Sequence, residues 1–119
     1  MENGKAAVAA NLTNGIGFGS TEFHVFRSKG AVLPKFLWYF IRQQSFRDNA
    51  RKVMSGAVGQ QRVPADYLRS HPLLLPPIQE QERIVAKIDN LISRSARARS
   101  ELKKIPSLLA AYKSAVLEL

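Results

Sequence analysis

Gln60, Gln61 and Arg62 stand together in the stretch SGAVGQQRVPADYL, and their side chains are the ones best suited to recognition chemistry in this 119-residue chain. Arginine forks onto the acceptors of guanine and glutamine onto the donor and acceptor of adenine, so the cluster has the chemistry of base reading. A solvated loop would have the same composition, and the residues alone leave both readings open. Just upstream, SFRDNARKVM carries Arg47, Arg51 and Lys52 along one face of a short helix, where cations suit phosphate. Gly15, Gly17 and Gly19 in NGIGFGS invite comparison with phosphate-binding loops. The dinucleotide pattern needs glycine where Ser20 stands, and the nucleoside-triphosphate loop needs a Gly-Lys-Ser/Thr ending that is missing. A flexible turn is the better reading, with Asn14, Ser20 and Thr21 as its polar contacts.

Catalysis is not expected. The chain has no cysteine, which removes thiolate nucleophiles and zinc-cysteine sites together. His24 and His71 lie far apart without a carboxylate-rich motif beside them, so neither a metal site nor a triad is spelled out, and no cofactor is expected. His24 reads as one residue of an alternating strand and His71 as a loop residue before Pro72.

The formal charge is +9 from 18 Lys/Arg and 9 Asp/Glu. Residues 1–77 hold ten basic side chains against four acidic, and residues 78–119 eight against five. Such an excess concentrates polyanions at the surface, and nucleic acid is the commonest polyanion in a cytoplasm. No apolar run approaches the ~20 residues needed to cross a bilayer, and the N-terminus lacks a signal-peptide core, so a cytoplasmic location is expected.

Several elements must position these residues. GKAAVAANL and TEFHVFR read as short strands around the glycine-rich turn, and HPLLLPP as a short buried strand. LPKFLWYFIRQQ reads as a helix opened by Pro34, with Leu37, Phe40 and Ile41 inward. In the next helix Ser45 is the expected N-cap with Asp48 as its acidic capping partner, and Phe46, Ala50, Val53 and Met54 share one side. ADYL adds one helical turn.

The C-terminal third has a single pattern. From Ile84 the positions step by four and three through Ile88, Leu91, Ser95, Ala98, Leu102, Ile105, Leu109, Tyr112, Val116 and Leu119, a heptad seam. A helix over 78–119 would be roughly 63 Å long at about 1.5 Å per residue, so its seam seeks a partner helix. Ile84, Ile88, Leu91, Leu102, Ile105, Leu109, Tyr112 and Val116 are the expected pairing residues. Pro77 suits the start, with Glu80 and Glu82 near the positive end of the helix dipole. Pro106 cannot donate to the carbonyl of Leu102, which predicts a kink, or a break with Ser107 in a restarted helix.

At LPPIQEQERIV the chain resembles the DNA-specificity subunit of type I restriction-modification enzymes. Leu75, Pro76, Pro77, Glu80, Gln81, Ile84 and Val85 carry the resemblance, SGAVGQQRVPADYL resembles the end of a target-recognition domain, and IPSLLAAYKSAVL the end of the spacer helix. The family implies a non-catalytic reader of double-stranded DNA. Two recognition domains there each read half of a split site and long antiparallel helices space them. Methyltransferase subunits using S-adenosylmethionine dock onto it, and ATP-dependent nuclease and translocase subunits join the assembly. The fold this implies is a small α/β (α+β) target-recognition domain over 1–77, truncated at its N-terminus, followed by a long coiled-coil-type helix over 78–119. Arg51, Lys52, Gln60, Gln61 and Arg62 would contact DNA, with Asn14, Ser20 and Thr21 as further candidates. A dimerisation module pairing with a second copy, without DNA binding of its own, is the alternative from a different class.

Overall fold

The first long helix begins where proline permits it. Pro34 occupies the first position of α1 (Pro34–Arg42), where its fixed φ is helical and its missing N–H would have had no intrahelical partner. Leu33 precedes it in extended conformation, and its carbonyl accepts the amide of Leu37 at 3.0 Å. Gln43 alone separates α1 from α2 (Gln44–Lys52). Its extended backbone breaks the helix, yet its amide still donates to the carbonyl of Phe40 and its own carbonyl accepts from Arg47, both at 3.0 Å. The two helices thus meet at a one-residue corner and pack on each other.

A computed structural model describes residues 4–56 and 61–117 of the chain. Two shorter features complete it: a single 3-10 turn at Thr13–Gly15, and α3 (Ala65–Ser70). The last element, α4 (Ile78–Leu117), is 40 residues long. The chain divides into two units, residues 1–85 and 86–119, so the first two turns of α4 belong with the globular part.

The expected α/β class is not what forms. Among the described residues there is no strand and no sheet, only one antiparallel bridge between Ser55 and Arg62. Alternating apolar residues favour extended backbone, but a strand also needs a second backbone to exchange N–H and C=O groups with it. The segments 4–12 and 21–27 lack such a ladder and are held instead by side chains: Trp38 Nε1 donates to Ala6 O at 2.8 Å. Nor is 71–77 a buried strand, since Leu74 is 90% exposed and Leu75 46%.

The core of the first unit is small. Phe46, Ala50 and Val63 are its buried apolar residues among those described. Phe46 lies tilted against Phe40 at 5.2 Å and meets His71 edge-on at 4.9 Å, and Tyr67 closes on His71 at 5.3 Å. His71 is therefore a member of an aromatic cluster that joins α1, α2 and α3. It also ends α3, because a residue before proline is driven out of the helical region, and His71 sits at φ −68°, ψ 122° ahead of Pro72. Leu37, Phe40 and Ile41 are half-buried, whereas Val53 at the end of α2 is exposed. The expected Ser45 cap is not used: Gln43 takes the N-cap position without a side-chain bond, and Asp48 accepts from Gln44 Nε2 at 2.8 Å.

At the start of α4 the two prolines act as acceptors. Pro77 O takes the amides of Glu80 and Gln81 at 2.9 and 3.0 Å, so Pro77 stands just outside the helix as its cap. Gln81 is the one polar side chain fully buried among the described residues. Its Oε1 accepts from Leu33 N at 2.8 Å, and its Nε2 donates to Ala31 O at 3.0 Å and Pro76 O at 2.8 Å. Every hydrogen of that amide is used, which makes its burial tolerable. On the outer side Glu80 pairs with Arg83 at 2.6 Å, and the hydrogen bond from Arg83 holds its carboxyl below the ordinary carboxylate value.

Pro106 does not end α4, which runs through it as one helix, so of the two expectations, a kink or a break, the break at Ser107 is not found. Proline leaves the Leu102 carbonyl without its usual amide donor. Nearby, Ser107 Oγ donates to Lys104 O at 2.8 Å.

Candidate nucleic-acid interface

Two of the candidate residues stand where α2 ends. Arg51 and Lys52 are exposed on its last turn, which is closed by the amides of Val53 and Met54 bonding back to Ala50 and Arg51. Just beyond, Ser55 and Arg62 exchange a pair of backbone hydrogen bonds, both 2.9 Å. That exchange forms a neck on either side of residues 57–60, which lie outside the described residues. Gly56 stands at the neck with φ 124°, a conformation open to glycine and strained for other residues. Gln61 and Arg62 project on the return side of the neck, both exposed. Gln60 lies outside the described residues.

A second segment is stapled to this neck by two contacts. The Arg62 guanidinium pairs with Glu22 at 2.6 Å, and His24 Nε2 lies 2.9 Å from Val63 O. A carbonyl only accepts, so Nε2 of His24 carries the hydrogen. Ser20, Thr21 and Glu22 form a tight turn: Phe23 N donates to Ser20 O at 3.1 Å and Glu22 N to Ser20 Oγ at 3.2 Å. Ser20 and Thr21 immediately precede the glutamate that pairs with Arg62. Asn14 is not gathered into this group: it stands in the 3-10 turn with φ 54°. His24, Ser55, Gly56, Arg62, Val63, Pro64 and Ala65 line a shallow hollow of about 460 Å³ below the neck.

The site is cationic with one built-in counter-charge. Glu22 and Arg62 are each about half exposed, and an exposed ion pair of this kind contributes roughly 0–1 kcal/mol. A phosphate or a base edge can therefore take Arg62 from Glu22 at little cost. Neither Glu22 nor the stapling role of His24 was legible from residue type, because both depend on contacts about 40 residues apart in sequence. Among the described residues no group of three or more His, Asp or Glu could hold a metal ion, and no helix is long and apolar enough to cross a membrane.

Along α4 the surface is different. Ile84 and Ile88 are half-buried, but from residue 91 to 117 every position of α4 is exposed. Leu91, Leu102, Ile105, Leu109, Tyr112 and Val116 are all among the exposed large apolar side chains, Tyr112 at 68%. Leu119 lies outside the described residues. Where Ser95 and Ala98 thin the seam, Leu91, Ile92, Ser95, Ala96 and Arg99 line an open groove of about 420 Å³.

The first unit thus carries exposed Gln61 and Arg62 beside a backbone-paired neck, and the second a helix whose apolar seam is exposed. The chain belongs to the type I restriction modification DNA specificity domain family, whose model matches residues 2–106. It is 40% identical over 94 residues to the Type I restriction enzyme EcoAI specificity subunit of Escherichia coli, a match covering 78% of this chain and 16% of that protein. To the EcoEI specificity subunit of Escherichia coli it is 34% identical over 93 residues, 77% of this chain and 16% of the relative. The EcoKI specificity subunit of Escherichia coli strain K12 is 27% identical over 94 residues, 78% and 20% respectively. The matched stretch is thus at most a fifth of the length of these relatives. No solved structure matches.

Proposed function

We propose that this chain is the DNA-reading part of a type I specificity subunit: residues 1–77 contribute to recognising one half of a bipartite duplex target, and residues 78–119 form a spacer helix. Its role is recognition, without chemistry of its own, in a cytoplasmic complex with methyltransferase subunits and ATP-dependent nuclease and translocase subunits. Family membership supports this reading. The observation that supports the site assignment is the neck itself, where Ser55 and Arg62 exchange backbone hydrogen bonds and the exposed Arg62 pairs with Glu22, the residue that follows Ser20 and Thr21. Arg62 and Gln61 suit base edges, while Arg51 and Lys52 suit phosphate, which orients the duplex without reading it.

The test is competition binding by the complete specificity subunit with its methyltransferase partners. Arg62→Ala is expected to cost about 1–3 kcal/mol on the target and to relax preference at one base pair. Lys52→Ala is expected to weaken all duplexes alike. Unchanged target choice and affinity in Arg62→Ala would reject the assignment. The exposed seam of α4 supports pairing with another helix, in the same assembly or in a second copy.

A further inference from the structure

Alongside its apolar seam, α4 carries a second line of side chains at the same four-three spacing: Lys87, Asn90, Arg94, Arg97, Glu101 and Lys104. At 3.6 residues per turn this line lies about a quarter turn from the seam and runs for about 26 Å. All three of Lys87, Arg94 and Arg97 are exposed, and among the described residues none has an ion-pair partner. The line's one carboxylate, Glu101, is already engaged, by Lys104 at 2.7 Å. Serine and alanine replace bulk in the neighbouring seam at Ser95 and Ala98, so this is the part of the helix where cations dominate.

We propose that this line is a phosphate-backbone contact, gripping the stretch of duplex that lies between the two halves of the target. The inference rests on the reading of the chain as part of a bipartite-site reader, and it adds a DNA contact on the spacer itself. A small anion would need convergent donors in a concave site. Here the cations are spread along a convex helix at intervals of one and two turns, which suits a ligand whose charges repeat along a line. Duplex DNA carries one charge per about 1.7 Å of its axis, so 26 Å of helix faces seven to eight base pairs. Because the line sits beside the seam rather than on it, a helix covering the seam leaves Arg97 and Lys104 open to solvent. Contacts of this kind hold the duplex irrespective of sequence.

The experiment uses the complete specificity subunit assembled with its partners, comparing wild type with Lys87→Gln/Arg94→Gln/Arg97→Gln. Affinity is measured for a target duplex and a scrambled duplex between about 50 and 200 mM salt. The variant is expected to have a salt slope shallower by about 2 to 3, equally on both duplexes, with the ratio of target to scrambled binding kept. Arginine-to-lysine exchange at 94 and 97 should restore the wild-type slope. Independently of any variant, neutral methylphosphonate linkages in the spacer of the target should flatten the wild-type slope by the same amount. An unchanged slope in the glutamine variant overturns the proposal. So does loss of subunit assembly with the slope kept, which would assign the line to an acidic protein surface. If the wild-type complex has no target preference, the recognition reading falls and this inference with it.

Discussion

Arg62 has two duties that pull in opposite directions. Its backbone closes the loop neck with Ser55, and its guanidinium is tied to Glu22. Glu22 holds the arginine in one pose and also repels the phosphates that would approach it. Replacing it with glutamine removes the repulsion and the tether together. Glu22→Gln is therefore expected to bind any duplex several-fold more tightly at low salt, with the gain shrinking as salt rises, and to discriminate less between target and non-target. Fluorescence anisotropy with both duplexes at two ionic strengths measures this; a variant with better discrimination would mean that Glu22 takes no part in presenting Arg62. Sequence alone singled out Arg62 because residue type carries its hydrogen-bonding pattern. It could not single out Glu22 or His24, whose partners are Arg62 and Val63, and a contact between distant segments leaves no local periodicity.

Helices were readable from local rules where those rules are stereochemical. Pro34 opening α1, the turn at Ala65 and the long C-terminal helix all follow from proline geometry and apolar spacing. Strands were misread because alternation reports extended backbone and not the neighbour that would pair with it. Gln81 was also missed as a buried residue, since a glutamine in a charged helical turn reads as solvated. Its burial makes a sharp prediction: Gln81→Leu keeps the volume but strands Leu33 N, Ala31 O and Pro76 O, for a cost of about 3 kcal/mol or more in chemical denaturation. Gln81→Glu adds a pH signature. A buried carboxyl facing two carbonyl oxygens has its folded-state pKa raised, so it is tolerated while protonated, and stability is lost as pH rises through that value. A Gln81→Glu variant whose denaturation midpoint stays level from acid to neutral pH would contradict this. Phe46, at the centre of the aromatic cluster, is expected to cost about 3–5 kcal/mol on truncation to alanine, enough to unfold so small a core.

For the molecule as a whole, the contrast between its two units decides how it behaves alone and in company. Residues 91–117 expose every face of their helix, including six apolar seam residues that would each contribute roughly 1.5–3 kcal/mol if fully buried. Such a helix is expected to exchange its amide hydrogens quickly in the isolated chain and to become protected on assembly. Leu102→Asp/Leu109→Asp should abolish that protection and the associated sedimentation shift while leaving the unfolding of residues 1–85 unchanged. Protection that survives both substitutions would place the pairing surface elsewhere on the helix. The seam was legible in the sequence because seven-residue periodicity needs no tertiary context.

The bonds made by Gln81 all end on main-chain atoms: the amide of Leu33 and the carbonyls of Ala31 and Pro76. Main-chain groups are the same whichever side chains stand at those positions. The mounting of α4 therefore places few demands on the identity of the residues it grips, provided the backbone path is kept. Loops that choose a ligand can accumulate substitutions, or be exchanged between relatives, without the fitting having to be re-invented. In engineering terms the first unit ends in a standard coupling, and new specificities could be transplanted onto it by keeping Gln81 and the course of the backbone around it.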